Sequence, residues 1–205
     1  VKVRDKVNVV FILAILSVFS GCVPHLSSSH AKLSVNQVQS IPNISITKEE
    51  VWGFCGHSTI VHDYDLMTIK GDKVVIDYST GLMWHQSGSE EHISWLSEKF
   101  FGLEYSSRWH KVEGWIKELN ERKYAGYSDW RLPTLEEAVS LLESSKKNND
   151  LYIDPLFSDK QRWIWTADKY SAGAVWAVTF DYGGVDSYGV HSRGNYVRPV
   201  RTDRK

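Results

Sequence analysis

Cysteine is scarce in this sequence, and neither sign of charge is in excess. Two cysteines, Cys22 and Cys55, occur among 205 residues, which excludes a disulfide-rich scaffold. Lysine and arginine total 24 and aspartate and glutamate total 25, so no global field favours nucleic acid or an anionic membrane surface. We therefore expect no nucleic-acid partner. The length suits one domain with a substantial core plus some targeting sequence.

Apolar runs long enough to span a bilayer are missing as well. Residues 7–19 form a nearly unbroken apolar run, which is shorter than the roughly 20 residues that a spanning helix needs. Lys2, Arg4 and Lys6 precede the run, and small residues follow it. This order predicts an export signal over residues 1–21. The alternative is a short membrane anchor or a buried helix.

Residues 19–22, Phe-Ser-Gly-Cys, resemble a bacterial lipobox, in which the cysteine is lipidated after cleavage. The resemblance implies an exported lipoprotein tethered to a membrane by acyl chains on Cys22, which would leave Cys55 as the free thiol. Without lipidation, a Cys22–Cys55 disulfide is the alternative in an oxidising compartment. Val23 stands where an aspartate would favour retention in the inner membrane, so we expect the outer membrane.

After the signal, the sequence divides into a linker and one domain. Residues 22–46 hold scattered polar residues, Pro24 and Pro42 and no sustained periodicity, which predicts a flexible tether. Residues 47–205 are predicted to form a single domain.

Three segments of this domain have helical patterns. Apolar residues of 135–142 recur at the spacing of one buried stripe, and Thr134 with Glu137 forms a capping box, so we expect a helix to begin at Leu135. Trp130 is expected in the same core. Residues 109–122 repeat the stripe and predict a second helix. Residues 90–101, which end before Gly102, indicate a third, short helix.

The remaining patterns predict strands. A first strand region begins at about residue 51. Residues 73–78 and 82–84 flank Ser-Thr-Gly, which is typical of a hairpin with Gly81 at positive φ. Residues 163–167, 174–180 and 196–200 are aromatic and β-branched, and we expect an antiparallel meander with glycine-rich connections, its last strand at an edge or bulged because of Pro199.

Three segments carry a family resemblance: DYSTGLMW at residues 77–84, GYSDWRLPT at 126–134 and YVRPVR at 196–201. In this order and spacing, the chain resembles the Lcl C-terminal domain family over about residues 74–201. The resemblance implies an α+β, C-type-lectin-like fold related to formylglycine-generating enzymes, with two main helices packed on irregular antiparallel sheets. It also implies export from a bacterial cell.

The same resemblance implies little about chemistry, and its shared motifs name no catalytic residue. The collagen-like adhesin that names the family is associated with sulfated glycosaminoglycans, but its collagen-like stalk is missing from this sequence. We expect an adhesin-like protein that binds a glycan or an envelope protein. A metal-assisted enzyme and a purely structural envelope component are the alternatives, and the oligomeric state stays open.

Catalytic and metal-binding patterns are weak. Cys55, His57, His62, Asp63 and Asp65 form the densest group of metal ligands, but their spacing matches no zinc or calcium template. We therefore expect no metal and no cofactor. No serine lies in a nucleophile elbow, and one thiol cannot support the paired-cysteine chemistry of the formylglycine-generating relatives.

Charged residues of the shared motifs have two interpretations. Asp129 either faces a ligand or fixes its own loop, and the second is the more common use of such a side chain. Arg131, Arg198 and Arg201 either form a basic site for an anion or close the sheet by pairing with acids such as Asp129 and Asp77.

The candidate ligand-binding surface lies near the C-terminus. Nine tryptophans and ten tyrosines serve either a core or an exposed platform. Glycine-rich loops between residues 183 and 195 carry aromatic and hydrogen-bonding groups on adaptable backbone. The predicted ligand-binding residues are Tyr182, Asp186, Tyr188, His191, Arg193 and Asn195.

Overall fold

The computed structural model describes residues 24, 26–93, 99–100, 103–104, 112–190 and 194–203. The signal and Cys22 lie outside the described residues. In chain order the elements are α1 (Val35–Val38), β1 (Ile44–Glu50), β2 (Gly53–Ser58), β3 (Tyr64–Ile69), β4 (Asp72–Asp77), β5 (Leu82–His85), β6 (Lys99–Phe100), β7 (Leu103–Glu104), α2 (Val112–Glu121), a 3₁₀ turn (Tyr124–Gly126), α3 (Leu135–Val139), β8 (Trp163–Ser171), β9 (Ala174–Thr179), β10 (Gly184–Gly189) and β11 (Val200–Thr202).

Two antiparallel sheets make up the α+β architecture. The larger sheet has the order β1-β2-β10-β9-β8, and the smaller one has the order β11-β5-β4-β3. Strands β6 and β7 form a separate two-stranded ribbon. The order β8-β9-β10 confirms an antiparallel meander near the C-terminus.

The predicted hairpin is the centre of the smaller sheet. Strands β4 and β5 pair antiparallel, and Gly81 in their turn has φ 68°. Alternation along β5 places Leu82 and Trp84 in the larger core and Met83 in a second core with Trp130. This sheet is therefore buried on both faces at its centre.

The predicted helix start after Pro133 is confirmed. The Glu137 amide donates to Thr134 Oγ1 at 3.2 Å, and the Thr134 amide donates to Glu137 Oε2 at 2.9 Å. Helix α3 begins at Leu135, and its predicted apolar stripe is buried. Trp130 is 2% exposed and donates from Nε1 to the Tyr124 carbonyl. The second helix is confirmed as α2, while residues 109–111 lie outside the described residues.

The third predicted helix, over residues 90–101, is wrong wherever the structure describes it. The Ile93 amide donates to the Asn195 carbonyl at 2.8 Å, so this backbone pairs with a segment distant in sequence instead of with its own helical turn. Lys99–Phe100 is strand β6. Residues 94–98 lie outside the described residues.

Much of the predicted tether packs on the domain. The Leu33 amide donates to the Lys169 carbonyl at 2.8 Å, and Val38 in α1 is fully buried. Strand β1 already begins at Ile44, so the predicted boundary at residue 46 falls inside the larger sheet. The apolar residues of this segment are irregularly spaced, so they show no helical or strand periodicity. They nevertheless pack against the core.

Two strand assignments near the C-terminus also change. Residues 184–189, predicted as part of glycine-rich loops, form β10, which pairs with both β9 and β2. The last strand is β11, later than the predicted 196–200, and it lies at the edge of the smaller sheet directly after Pro199. Tyr196 instead forms an isolated bridge with Ile164.

A buried histidine ends β5. His85 is 4% exposed, its Nδ1 accepts from the Gly88 amide at 2.8 Å, and its ring stacks on Tyr124 with centroids 4.0 Å apart. Burial lowers the pKa of His85 to about 3, with smaller contributions from the charges of Arg198 and Arg122. His85 is therefore neutral in the folded protein at neutral pH.

Acid is expected to destabilise the fold through His85. Between its unfolded pKa of 6.5 and its folded pKa of about 3, the unfolded chain binds a proton that the folded chain does not, so stability falls as the pH falls through this window. The slope approaches ~1.4 kcal/mol per pH unit. Urea denaturation at about pH 7 and about pH 4.5 should show a loss roughly 2 kcal/mol larger in the wild type than in His85→Gln. Equal losses would exclude this role.

Candidate functional site

An open cleft lies where the β1–β2 turn meets the β9–β10 connection. It encloses about 590 Å³. We call it the aromatic cleft, and its lining residues are Glu50, Val51, Trp52, Cys55, Tyr182, Val185 and Asp186.

Strand pairing brings the two walls of the aromatic cleft together. Cys55 and Gly184 are partners in the β2–β10 ladder. A side chain at Gly53 would place its Cβ 2.0 Å from the Val185 carbonyl oxygen, and one at Gly184 would lie 2.7 Å from the Phe54 carbonyl oxygen. Glycine at these two positions therefore permits the close backbone approach on which the cleft depends.

Large apolar side chains are unusually exposed here. Trp52 is 54% exposed and Tyr182 is 42% exposed, and Val51 beside them is 76% exposed. Each ring also packs edge-on against a second aromatic ring. The centroids of Trp52 and Tyr170 are 6.0 Å apart, and those of Tyr182 and Trp163 are 6.2 Å apart. Such a group of exposed, supported rings is typical of a binding surface.

The polar groups of the cleft are acidic or neutral. Burial raises the pKa of Asp186, and the charge of Glu50 raises it further, while the Ser187 amide donates to Asp186 Oδ1 at 2.7 Å. Burial, assisted by Asp186, raises the pKa of Tyr182 to about 12. Among the described residues that line the cleft, none is a lysine or an arginine. The cleft therefore offers hydrogen-bond acceptors and hydroxyls without a positive charge.

The structure places the predicted binding residues in different environments. Tyr182 and Asp186 line the cleft, and Tyr188 supports it from β10 by packing on Trp163 with centroids 5.2 Å apart. Asn195 is wrong as a surface residue, because it is 5% exposed and its backbone pairs with Ile93. His191 and Arg193 lie outside the described residues.

Sequence reasoning missed the other wall of the cleft. Trp52, Val51 and Glu50 lie in and beside the turn between β1 and β2. The sequence does contain a signal for this wall. Val51 and Trp52 lie between Glu50 and Gly53, a position where a turn would expose both apolar side chains.

The candidate metal ligands do not converge. His62 uses both ring nitrogens, Nδ1 to Asp77 Oδ2 and Nε2 to the Ser140 carbonyl, each at 2.7 Å. Asp63 and Asp65 are exposed, and Cys55 lies in the aromatic cleft, where burial raises the pKa of its thiol. Within the described residues, no group of three or more such side chains could hold a metal ion.

The charged residues of the shared motifs serve the scaffold. Arg201 forms two hydrogen bonds with Asp129, the shorter one 2.8 Å long from Nε, and this contact lowers the pKa of Asp129. Arg131 makes a bidentate pair with Glu137 at 2.7 Å. Arg198 donates to backbone carbonyls in the core. Each arginine has its own partner, so the three do not form one anion site.

The family model of the Lcl C-terminal domain matches residues 73–201. Because this match covers more than half of the chain, the protein belongs to the Lcl C-terminal domain family, as the sequence motifs predict. The searches of curated proteins and of solved structures found no match. Tyr182 and Asp186 lie inside the matched region, whereas Glu50 and Trp52 precede it, so the cleft combines residues inside and outside the match.

Among the described residues, no helix is long and apolar enough to cross a membrane.

Proposed function

We propose that this protein is a bacterial envelope lipoprotein whose lectin-like domain binds a glycan in the aromatic cleft, as an adhesin would. The exposed pair of Trp52 and Tyr182 is the observation that carries the proposal. A C-type-lectin-like arrangement of the two sheets is part of the proposal, and the family membership supports it.

The chemistry of the cleft suits a sugar ring. Aromatic faces pack on the apolar faces of pyranose rings, and carboxylates accept hydrogen bonds from hydroxyl groups. Trp52 and Tyr182 supply the first kind of group, while Glu50 and Asp186 supply the second. Asp186 accepts from the Ser187 backbone amide at 2.7 Å, so this acceptor is held in place before a ligand arrives.

The charge of the cleft selects against sulfated glycans. No lysine or arginine lines the cleft among the described residues, and Lys48 beside it is already paired with Glu50, so the cleft offers a polyanion no free positive charge. This chain is therefore proposed to bind neutral glycans, unlike the adhesin of its family. An envelope protein is the second candidate ligand, which the high exposure of Val51 at the rim favours.

A glycan array tests the proposal. The full chain in detergent should bind neutral oligosaccharides on the array, and heparin should not compete. If the array shows no neutral ligand, or if heparin competes for the same binding, the proposed ligand class is wrong.

The membrane anchor has its own test. Labelling with a fatty-acid analogue should mark the wild type and leave Cys22→Ala unmarked, and the variant should leave the membrane fraction. Cys55→Ala is the matched control, because it removes the other thiol and should keep the label. Equal labelling of wild type and Cys22→Ala would refute the anchor. We propose the outer membrane as its location.

A further inference from the structure

The apolar side chains that are exposed outside the aromatic cleft gather at strand β3. Among the described residues, seven large apolar side chains are at least 37% exposed, and three of them line the cleft. The other four lie in or beside the β3–β4 hairpin: Val61, Leu66, Met67 and Tyr78. Since β3 is an outer strand of the smaller sheet, this apolar surface surrounds a strand edge.

The backbone of β3 has open hydrogen-bonding groups on its outer side. The Tyr78 amide donates to the Asp63 carbonyl, which marks these two residues as a hydrogen-bonded pair, and every second pair of the antiparallel ladder follows the same pattern. The odd-numbered residues of β3 therefore bond to β4, whereas Tyr64, Leu66 and Thr68 direct their amides and carbonyls away from it. Within the described part of the chain, these outward groups have no backbone partner.

The other outer strands of the two large sheets are covered or interrupted. Along β8, the Leu33 amide donates to the Lys169 carbonyl, and along β11, Arg131 and Val200 exchange two backbone hydrogen bonds. Strand β1 has a bulge and ends in three charged residues. Strand β3 has one charge, Asp65, and neither a bulge nor a lysine or proline. It therefore lacks the features by which edge strands usually avoid pairing.

We propose that β3 pairs antiparallel with β3 of a second copy of this chain, about a twofold axis at Leu66. In this register Leu66 lies opposite Leu66 of the other copy, and Tyr64 lies opposite Thr68. All three outward residues of each copy then gain partners, and about six backbone hydrogen bonds form. The aromatic cleft belongs to the larger sheet, so this pairing depends neither on glycan binding nor on the lipid anchor.

The side chains of β3 favour a second copy in this register. Asp65 lies opposite Met67 of the other copy, so no like charges face each other. A register in which Tyr64 meets Leu66 would set Asp65 opposite Asp65, which is unfavourable. A register in which Leu66 meets Thr68 would leave Tyr64 outside the ladder. The strand edge is therefore complementary to itself.

Cysteine crosslinking tests the register directly. In the full chain in detergent, with Cys55→Ala as the background, Leu66→Cys should form a disulfide-linked dimer under mild oxidation, because the pairing brings the two Cα atoms to about 5.5 Å. Lys117→Cys, at an exposed site on α2, is the matched control and should stay largely uncrosslinked. Equal crosslinking of the two variants would show chance encounter within a micelle and would overturn the proposal.

Charge exchange tests the same contact without a covalent bond. Met67→Glu sets a carboxylate opposite Asp65 at two symmetric positions, and it should weaken self-association in analytical ultracentrifugation at least about fivefold. Adding Asp65→Lys to Met67→Glu sets opposite charges face to face and should restore the affinity to within about threefold of the wild type. Both sites are exposed, so the thermal midpoint should change little.

The ultracentrifugation has two results that would refute the pairing. One is a wild type that stays monomeric, whether or not another envelope protein binds β3. The other is Met67→Glu that self-associates as strongly as the wild type.

Discussion

Replacing Arg198 with alanine is expected to lower the free energy of unfolding by about 3 kcal/mol. The side chain is fully buried and donates to the carbonyls of Gln86 at 2.5 Å and Ser158 at 3.0 Å, and to Gln161 Oε1 at 3.2 Å. Its guanidinium lies 5.0 Å from the centroid of the Phe157 ring. Alanine would leave these acceptors unpaired in the core and open a cavity beside the ring.

The expected loss of stability in Arg198→Ala depends on whether the buried guanidinium is charged. Burial lowers the pKa of Arg198 to about 9, so the guanidinium remains protonated at neutral pH. The donated hydrogen bonds must therefore offset its desolvation. Urea denaturation should place Arg198→Met between the wild type and Arg198→Ala, because methionine fills the volume without supplying donors. A loss below about 1 kcal/mol in Arg198→Ala would contradict this account.

Replacing Trp52 with alanine is expected to weaken glycan binding at least about tenfold with little change in stability. More than half of the Trp52 side chain is exposed, so the fold gains little from it, and its edge contact with Tyr170 is the main packing lost. In a complex, the same ring would be covered by the ligand, which is where its apolar surface contributes most.

Matched variants separate binding from folding. Trp52→Phe keeps an aromatic face and should recover most of the affinity. Leu66→Ala removes another exposed apolar side chain, on β3 of the smaller sheet, and should leave binding unchanged. Loss of binding in Leu66→Ala would indicate a general effect of surface hydrophobicity.

Local signals were sufficient for part of the fold. The helix start at Leu135 follows from Thr134 and Glu137, which lie within one turn of each other, and the hairpin around Gly81 follows from a few adjacent residues. In each case the residues that determine the local structure are close together in the sequence, so the sequence pattern alone is enough to predict it. Within the motif around Trp130, that ring is buried and Arg131 pairs with Glu137 six residues away, so these two residues serve the fold.

Long-range pairing explains what the pattern could not reveal. The ladder between β2 and β10 joins Cys55 to Gly184, and no local feature of either segment specifies the other. Two of the seven residues that line the candidate site, Tyr182 and Asp186, could therefore be predicted, while Trp52 could not be placed beside them. Residues 184–189 look like a glycine-rich loop in the sequence, but they form strand β10 in this ladder. Gly184 permits the close approach of β10 to β2.

Calorimetric titration of the wild type and Trp52→Ala with one neutral oligosaccharide selected from the array tests whether the aromatic cleft binds the glycan. The wild type should bind saturably, Trp52→Ala should bind at least about tenfold more weakly, and Leu66→Ala should keep wild-type affinity. Equal affinity in wild type and Trp52→Ala, with both proteins folded, would show that the aromatic cleft is not the binding site.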